Sequence, residues 1–341
     1  MDTSTALAFE TALCRSLAIR YPICQAGMGF VAPGRLAAAV SAAGGLGVIG
    51  AGSMGSRQLR EEIRIVRGET DQPFGVDILF AAVKTPTEEG KASQVAAYTD
   101  SVNRLIEVTL EERAPVLVAG LGSPAGVIRD AHRQGMIVMA LAGNVRQALR
   151  MEADGVDILI AQGYDAGGHT GRVGTMSLVP QVVDAVAVPV LAAGGIADGR
   201  GLVAALALGA CGVWMGTRFI ATTEALAHDN YKQKIVDIDE EGTVISRCHS
   251  GKTCRLIRNE FTKSWEGRED EILPFPLQGM KIGAEAAKRA RYDGLIEEGG
   301  APAGQSAGLI HSVEPAGVVV ERIMAEARAV LHDRFGQHNA T

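Results

Sequence analysis

The residues best suited to chemistry concentrate in one stretch, Ala161-Gln162-Gly163-Tyr164-Asp165-Ala166-Gly167-Gly168-His169-Thr170-Gly171, which follows a short apolar run, Ile158-Leu159-Ile160. An imidazole titrates near pH 6.5, so His169 can take a proton from an acidic carbon or, once protonated, stabilise an anion. Gly167, Gly168 and Gly171 let backbone approach a ligand closely and tolerate positive φ, which sets this histidine apart from His132, His228, His249, His311, His332 and His338. Those others are read as ordinary loop or surface histidines. Gln162 stands seven residues before His169. An extended loop would bring the imidazole over a ligand whose edge the Gln162 amide touches, since an amide both donates and accepts.

Two further glycine motifs suit a phosphate. Ala193-Gly194-Gly195-Ile196-Ala197-Asp198 runs into a segment of helical composition, so the glycine N–H groups and the helix N-terminus can cradle an oxyanion. Met215-Gly216-Thr217-Arg218 adds bare backbone, a hydroxyl and a charge. Each alone is also compatible with a plain turn; together they favour a phosphorylated cofactor. Gln25-Ala26-Gly27-Met28-Gly29 and Gly50-Ala51-Gly52 place an amide and bare backbone where the edge of a planar heterocycle would fit, a tight βα turn being the alternative.

Positioning these loops requires strands that end just before them. Short apolar runs fall at 22–25, 46–49, 75–79, 116–119, 137–141, 157–161, 188–192 and 212–215, each followed by glycine or polar residues. Their unbroken apolar character is what strands covered on both faces need. Helical segments alternate with them, at 34–43, 57–67, 95–113, 125–134, 145–152, 178–186 and 199–208. Eight such βα repeats point to an α/β fold closed as a (β/α)8 TIM barrel rather than an open doubly wound sheet, which usually stops at five or six strands. In a barrel the loops after the strands form the active face, and those after the seventh and eighth often hold phosphate.

After Met215 the repeat fails. Residues 222–300 mix charges, prolines and helical patches, and are read as a mostly helical insertion after strand 8 that caps the barrel mouth, with Asn259-Glu260-Phe261 and Trp265 in its packing. An amphipathic helix at 315–335, with Val319, Ile323, Ala327 and Val330 on its apolar face, closes the outer ring. The expected organisation is a barrel of 1–221 and 301–341 with an inserted substrate cap of 222–300.

The chain's 341 residues are 47% hydrophobic with a net charge of −6. That balance supplies a large core and argues against a nucleic-acid partner, leaving a small-molecule substrate. Cys14, Cys24, Cys211, Cys248 and Cys254 are scattered without metal or redox spacing, which suits reduced thiols in a cytoplasmic protein with no bound metal. Neither a signal peptide nor a membrane span is legible. Oligomeric state leaves no mark in the sequence.

Taken together, the motifs resemble the nitronate monooxygenase family, formerly called 2-nitropropane dioxygenases, FMN-containing TIM-barrel enzymes. The resemblance runs over nearly the whole chain, through Pro22-Ile23-Cys24-Gln25-Ala26-Gly27-Met28, Gly44-Gly45-Leu46-Gly47, the Ala161–His169 block, Ala193-Gly194-Gly195-Ile196, Met215-Gly216-Thr217-Arg218-Phe219 and Ala303-Gly304-Gln305-Ser306-Ala307-Gly308. It implies that Gly194, Gly195, Gly216 and Thr217 hold the FMN phosphate, that Gln25, Met28 and Gln162 border the isoalloxazine with Ala26, Gly27, Gly167 and Gly168 beside them, and that Gln305 and Gly308 return to the flavin pocket. It also implies His169 as the catalytic base, nitroalkanes or nitronates as substrates, and dioxygen as the oxidant. The same superfamily contains FMN-dependent enoyl-thioester reductases, which would use NAD(P)H instead. A phosphate-binding barrel without redox activity is the reading from another class.

One departure is Asp77, where the family commonly has asparagine, since a negative charge near a flavin that accepts electrons is unfavourable unless paired or turned away. The basic residues Lys252, Arg255, Arg258, Lys281, Lys288, Arg289 and Arg291 could bind a carrier or nucleotide phosphate, but mixed with Glu269, Glu271 and Glu285 they are read as a solvated surface.

Overall fold

In the computed structural model, residues 9–81 and 89–335 are described; the outer ends of the expected 1–221 and 301–341 ranges, and His338, lie outside the described residues. The strands are β1 (Ile23–Gln25), β2 (Gly47–Gly50), β3 (Phe74–Phe80), β4 (Val116–Gly122), β5 (Ile137–Ala142), β6 (Ile158–Gln162), β7 (Gly168–His169), β8 (Val190–Ala193), β9 (Gly212–Met215), β10 (Thr243–Ser246) and β11 (Cys254–Ile257). Eight of them form one parallel sheet in the order β1-β9-β8-β6-β5-β4-β3-β2. Hydrogen bonds from Gln25 N to Leu46 O and from Leu46 N to Ile23 O, each 2.9 Å, join the two ends of that sheet. The result is a TIM barrel.

Alternation along each strand explains why the apolar runs are unbroken. Ile158 and Ile160 point into the barrel, where they meet Cys24, Val48, Val118, Met139 and Leu191. Leu159 and Ala161, between them, face outward under the helices. Each such fully buried aliphatic side chain contributes about 1.5–3 kcal/mol, so neither face tolerates a polar residue without a partner. The helix Ala12–Leu17, absent from the sequence expectation, plugs the bottom of the barrel with Leu13, Cys14 and Leu17. The last helix, Ala316–Phe335, packs between Gly199–Ala207 and Gly34–Ala42 and completes the outer ring.

The segment after β9 carries the helices Asp229–Asp237, Glu260–Lys263 and Ala284–Arg291, and also a feature that the sequence reading did not include. β10 and β11 form an antiparallel hairpin, and β7 pairs with β11 through Gly168↔Arg255 and His169↔Cys254. The loop after β6 is therefore one strand of the cap's own sheet. Asn259 caps the helix that starts at Glu260, and Phe261 and Trp265 pack on a small cluster of Cys248, Cys254, Leu256 and Ile272. No helix among the described residues is long and apolar enough to cross a membrane.

Candidate active site

Alternation along the strands decides which side chains reach the barrel mouth. On β6 the inward positions are Ile158, Ile160 and then Gln162; on β3 they continue to Asp77 and Leu79; on β9, Trp214 is inward. Gln162, Asp77, Leu79 and Trp214, with Gly120 after the inward pair Val116 and Val118, floor a cavity of about 300 Å³ between barrel and cap. On β1 the parity runs the other way. Cys24 and Ala26 face in, so Gln25 faces out.

Gln25 is accordingly fully buried away from the cavity. Its Nε2 donates to Val48 O at 3.1 Å and to Ala26 O, and its Oε1 accepts from Val48 N at 3.1 Å. The expected flavin contact is a clamp between β1 and β2, a role invisible in the sequence because its partner lies 23 residues on. Its neighbours Ala26, Gly27 and Met28 do line the cavity.

Gly194 and Gly195, at φ +100° and +74°, turn the chain sharply after β8 and line the cavity with Gly216 and Thr217. A Cβ on Gly194 would stand 2.8 Å from Thr175 Oγ1 and 2.9 Å from Ala166 N, so only bare backbone fits. The helix that follows is not part of this cradle. Asp198 accepts from Arg200 N and Gly201 N at 2.9 and 3.2 Å, and Glu326 accepts from Gly199 N at 2.9 Å, so its first N–H groups are already occupied.

The segment returning from the cap also differs from expectation at both residues. Gly304 and Ser306 line the cavity, whereas Gln305 is exposed and Gly308 lies against Asp239 and Glu240. In the tight turn Gln305–Leu309 successive side chains diverge, which moves Gln305 outward. Gly304 N donates to Thr217 Oγ1 at 2.9 Å, tying this segment to the loop after β9. A Cβ on Gly167 would meet Ala303 C and Gly304 N at 2.7 Å, so Gly167 makes room for that return.

His169 is brought to the cavity by β7, after Gly168 at φ +74°. Gln162 Nε2 donates to the His169 carbonyl, and His169 Nε2 lies 2.7 Å from Ser250 Oγ. The Phe275 ring stands edge-on to the imidazole at 6.5 Å, and Lys252 Nζ lies 4.7 Å over that same ring. Burial, and then the charges of Lys252 and Arg291, push the imidazole down to about 4, so it is neutral at physiological pH.

Two residues read as surface-bound belong to this wall. Arg291 is buried, donating from Nε to Gly300 O and from Nη1 to Gly29 O, both at 3.1 Å, and lying over the Phe30 ring. Its Nη2 meets His249 Nε2 at 3.2 Å, and burial followed by the Arg291 charge holds His249 well below the ordinary histidine range. Both line the cavity with Tyr231 and Cys254. Arg255 is likewise buried, donating to Tyr164 O at 3.0 Å from Nη2, whereas Arg258, Lys281, Lys288 and Arg289 are exposed as a solvated face would be. The signal for Arg291 was present. Ala286, Ala287, Ala290 and Arg291 fall on one face of the helix Ala284–Arg291, and all four are buried.

The chain is similar to known proteins over most of its length. The family model described as nitronate monooxygenase matches residues 10–326. A probable nitronate monooxygenase of Staphylococcus haemolyticus is 37% identical over 302 residues, spanning 80% of this chain and 85% of that protein. Among solved structures, FabK from Thermotoga maritima superposes with a TM-score of 0.86 at 37% identity, over 96% of this chain and 99% of its own. Nitroalkane oxidase from Streptomyces ansochromogenes does so with a TM-score of 0.82 at 31% identity, over 94% and 99%.

Proposed function

This chain belongs to the nitronate monooxygenase family, and from that premise we propose that it is an FMN-dependent oxidoreductase that oxidises alkyl nitronates with dioxygen. The residues fit the cofactor. Gly194 and Gly195, both at positive φ, present bare backbone to the cavity, and Gly216, the Thr217 hydroxyl and Ser306 stand beside them for the phosphate. Gly27, Met28, Asp77 and Gln162 form the floor on which the heterocycle would lie. Bound there, a flavin supplies the electron transfer that no side chain can.

The observation that carries the substrate reading is His169, neutral at the cavity wall and acted on by two cations, Lys252 and Arg291. The same two charges attract a substrate that arrives as an anion. An imidazole held near 4 takes a proton poorly from a neutral carbon acid, and a nitronate beside it would raise its proton affinity again. The site therefore suits nitronates better than neutral nitroalkanes, with His169 serving as base when the neutral form is offered. Residues 222–300 act as the substrate cap, contributing Ser250, His249 and Arg291. Free thiols at all five cysteines suit a reducing cytoplasm.

Reduction of an enoyl thioester with NAD(P)H is a second reading, and one observation favours it: FabK matches this chain at higher identity than nitroalkane oxidase does. Substituting His169→Ala tests the base. FMN should remain bound while turnover of neutral nitroalkanes falls by about 100-fold or more. Undiminished turnover would remove His169 from that role.

A further inference from the structure

Asp77 is an acid buried in the cavity floor with no counter-charge among the described residues. It occupies an inward position on β3 and is 8% exposed, and its Oδ1 has no hydrogen-bond partner. Two glycines close on it: a Cβ on Gly27 would stand 2.2 Å from Asp77 Cβ, and one on Gly120 2.3 Å from Oδ1. Neither neighbour brings a charge, and the cavity is the side on which a partner can arrive. Across it stand His169, His249, Arg291, Tyr231 and Cys254, none of which forms an ion pair or a hydrogen bond with Asp77 among the described residues.

The carboxyl is thus neither paired nor turned away. Ionised, it would face a desolvation penalty of several kcal/mol that only the Gly120 N–H opposes among the described residues, and its charge would oppose electrons arriving on a ligand above it. A neutral acid escapes both costs and gains an O–H donor. We propose that Asp77 is a protonated carboxylic acid that donates a hydrogen bond to an acceptor on the heterocyclic edge of the flavin, an inference that rests on the flavin reading of the cavity. Burial acts in the same sense, raising the carboxyl well above the ordinary aspartate range against the weaker opposing effect of the Gly120 N–H.

The test is equilibrium titration of the apoprotein with FMN, read by flavin fluorescence, for the natural protein and for Asp77→Asn and Asp77→Ala, together with infrared spectra at neutral pH. Asparagine keeps the shape and a neutral donor, so Asp77→Asn should bind FMN within about threefold of the natural protein. Asp77→Ala, which loses the donor, should bind about tenfold more weakly. The infrared difference between the natural protein and Asp77→Asn should contain the carbonyl band of a protonated acid. Tighter binding by Asp77→Asn of about tenfold or more, or a carboxylate band in place of the acid band, would overturn the proposal, because either marks an ionised Asp77. Equal binding by Asp77→Ala would overturn the donor role. Failure of all three proteins to bind FMN would overturn the flavin reading as well, and is distinct from FMN bound with the wrong ranking.

Discussion

Nε2 of His169, on the strand that leaves the barrel, lies 2.7 Å from Oγ of Ser250, on the turn between the two strands of the cap hairpin. Ser250 is 5% exposed, and its Oγ also accepts from Lys252 N at 3.3 Å. The imidazole is therefore held from the cap side, while Gln162 holds its backbone from the barrel side. Cap and barrel must both be in place before His169 is aligned.

Ser250→Ala should lower kcat for a neutral nitroalkane by about tenfold, the worth of one buried hydrogen bond, with FMN affinity unchanged. Ser250→Thr keeps the hydroxyl and should restore most of the loss. Equal kcat in the alanine variant would show that the imidazole is aligned without the cap.

Gly194→Ala places a Cβ at φ +100° within 3 Å of Thr175 Oγ1 and Ala166 N. The conformational cost alone is about 1–2 kcal/mol, so FMN should bind about tenfold more weakly or be lost on gel filtration. Gly174→Ala is the control, since Gly174 has φ −63° and open space where its Cβ would go. Loss of flavin from both variants, or from neither, would count against the cradle.

Gln25→Leu removes the clamp on Val48 and leaves that strand's buried N–H and C=O short of partners. Stability should fall by about 1–3 kcal/mol, measured by urea unfolding, while the visible spectrum of the bound flavin stays the same. A shifted flavin spectrum at unchanged stability would return Gln25 to the cofactor.

Two half-buried neutral histidines should make the fold sensitive to acid. The folded value for His169 is about 4, and that for His249 is also depressed, against 6.5 when unfolded. The unfolded chain binds more protons as pH falls, so their contribution is intact above pH ~6.5 and is lost from there downward, by up to about 3 kcal/mol for His169 near pH 4. Urea midpoints between neutral pH and pH ~4.5 should decline accordingly. The decline should be shallower in His169→Ala, and an identical slope would contradict an imidazole held neutral in the folded protein.

The barrel was legible because strands covered on both faces must be apolar throughout, and the glycine loops were legible because β8 and β9 end directly in them. Side-chain direction was legible in principle: two-residue alternation sends Gln162 and Asp77 inward and Gln25 outward, and reading amides by type alone missed this. The cap was harder. β7 is two residues long and takes its partner from β11, so nothing local marks Gly168 and His169 as strand. His249 reaches the cavity, and Ser250 the His169 imidazole, through that long-range pairing. Arg291 looked solvated among acidic neighbours, although the spacing of buried alanines on its helix places it inside.

Anaerobic reduction of the purified protein tests the proposed reaction most directly. Yellow protein mixed with an alkyl nitronate in the absence of NAD(P)H should bleach as the flavin is reduced, and should recover its colour when dioxygen is admitted. Bleaching by NAD(P)H alone, with no response to the nitronate, would contradict nitronate oxidation and support the enoyl-thioester reading.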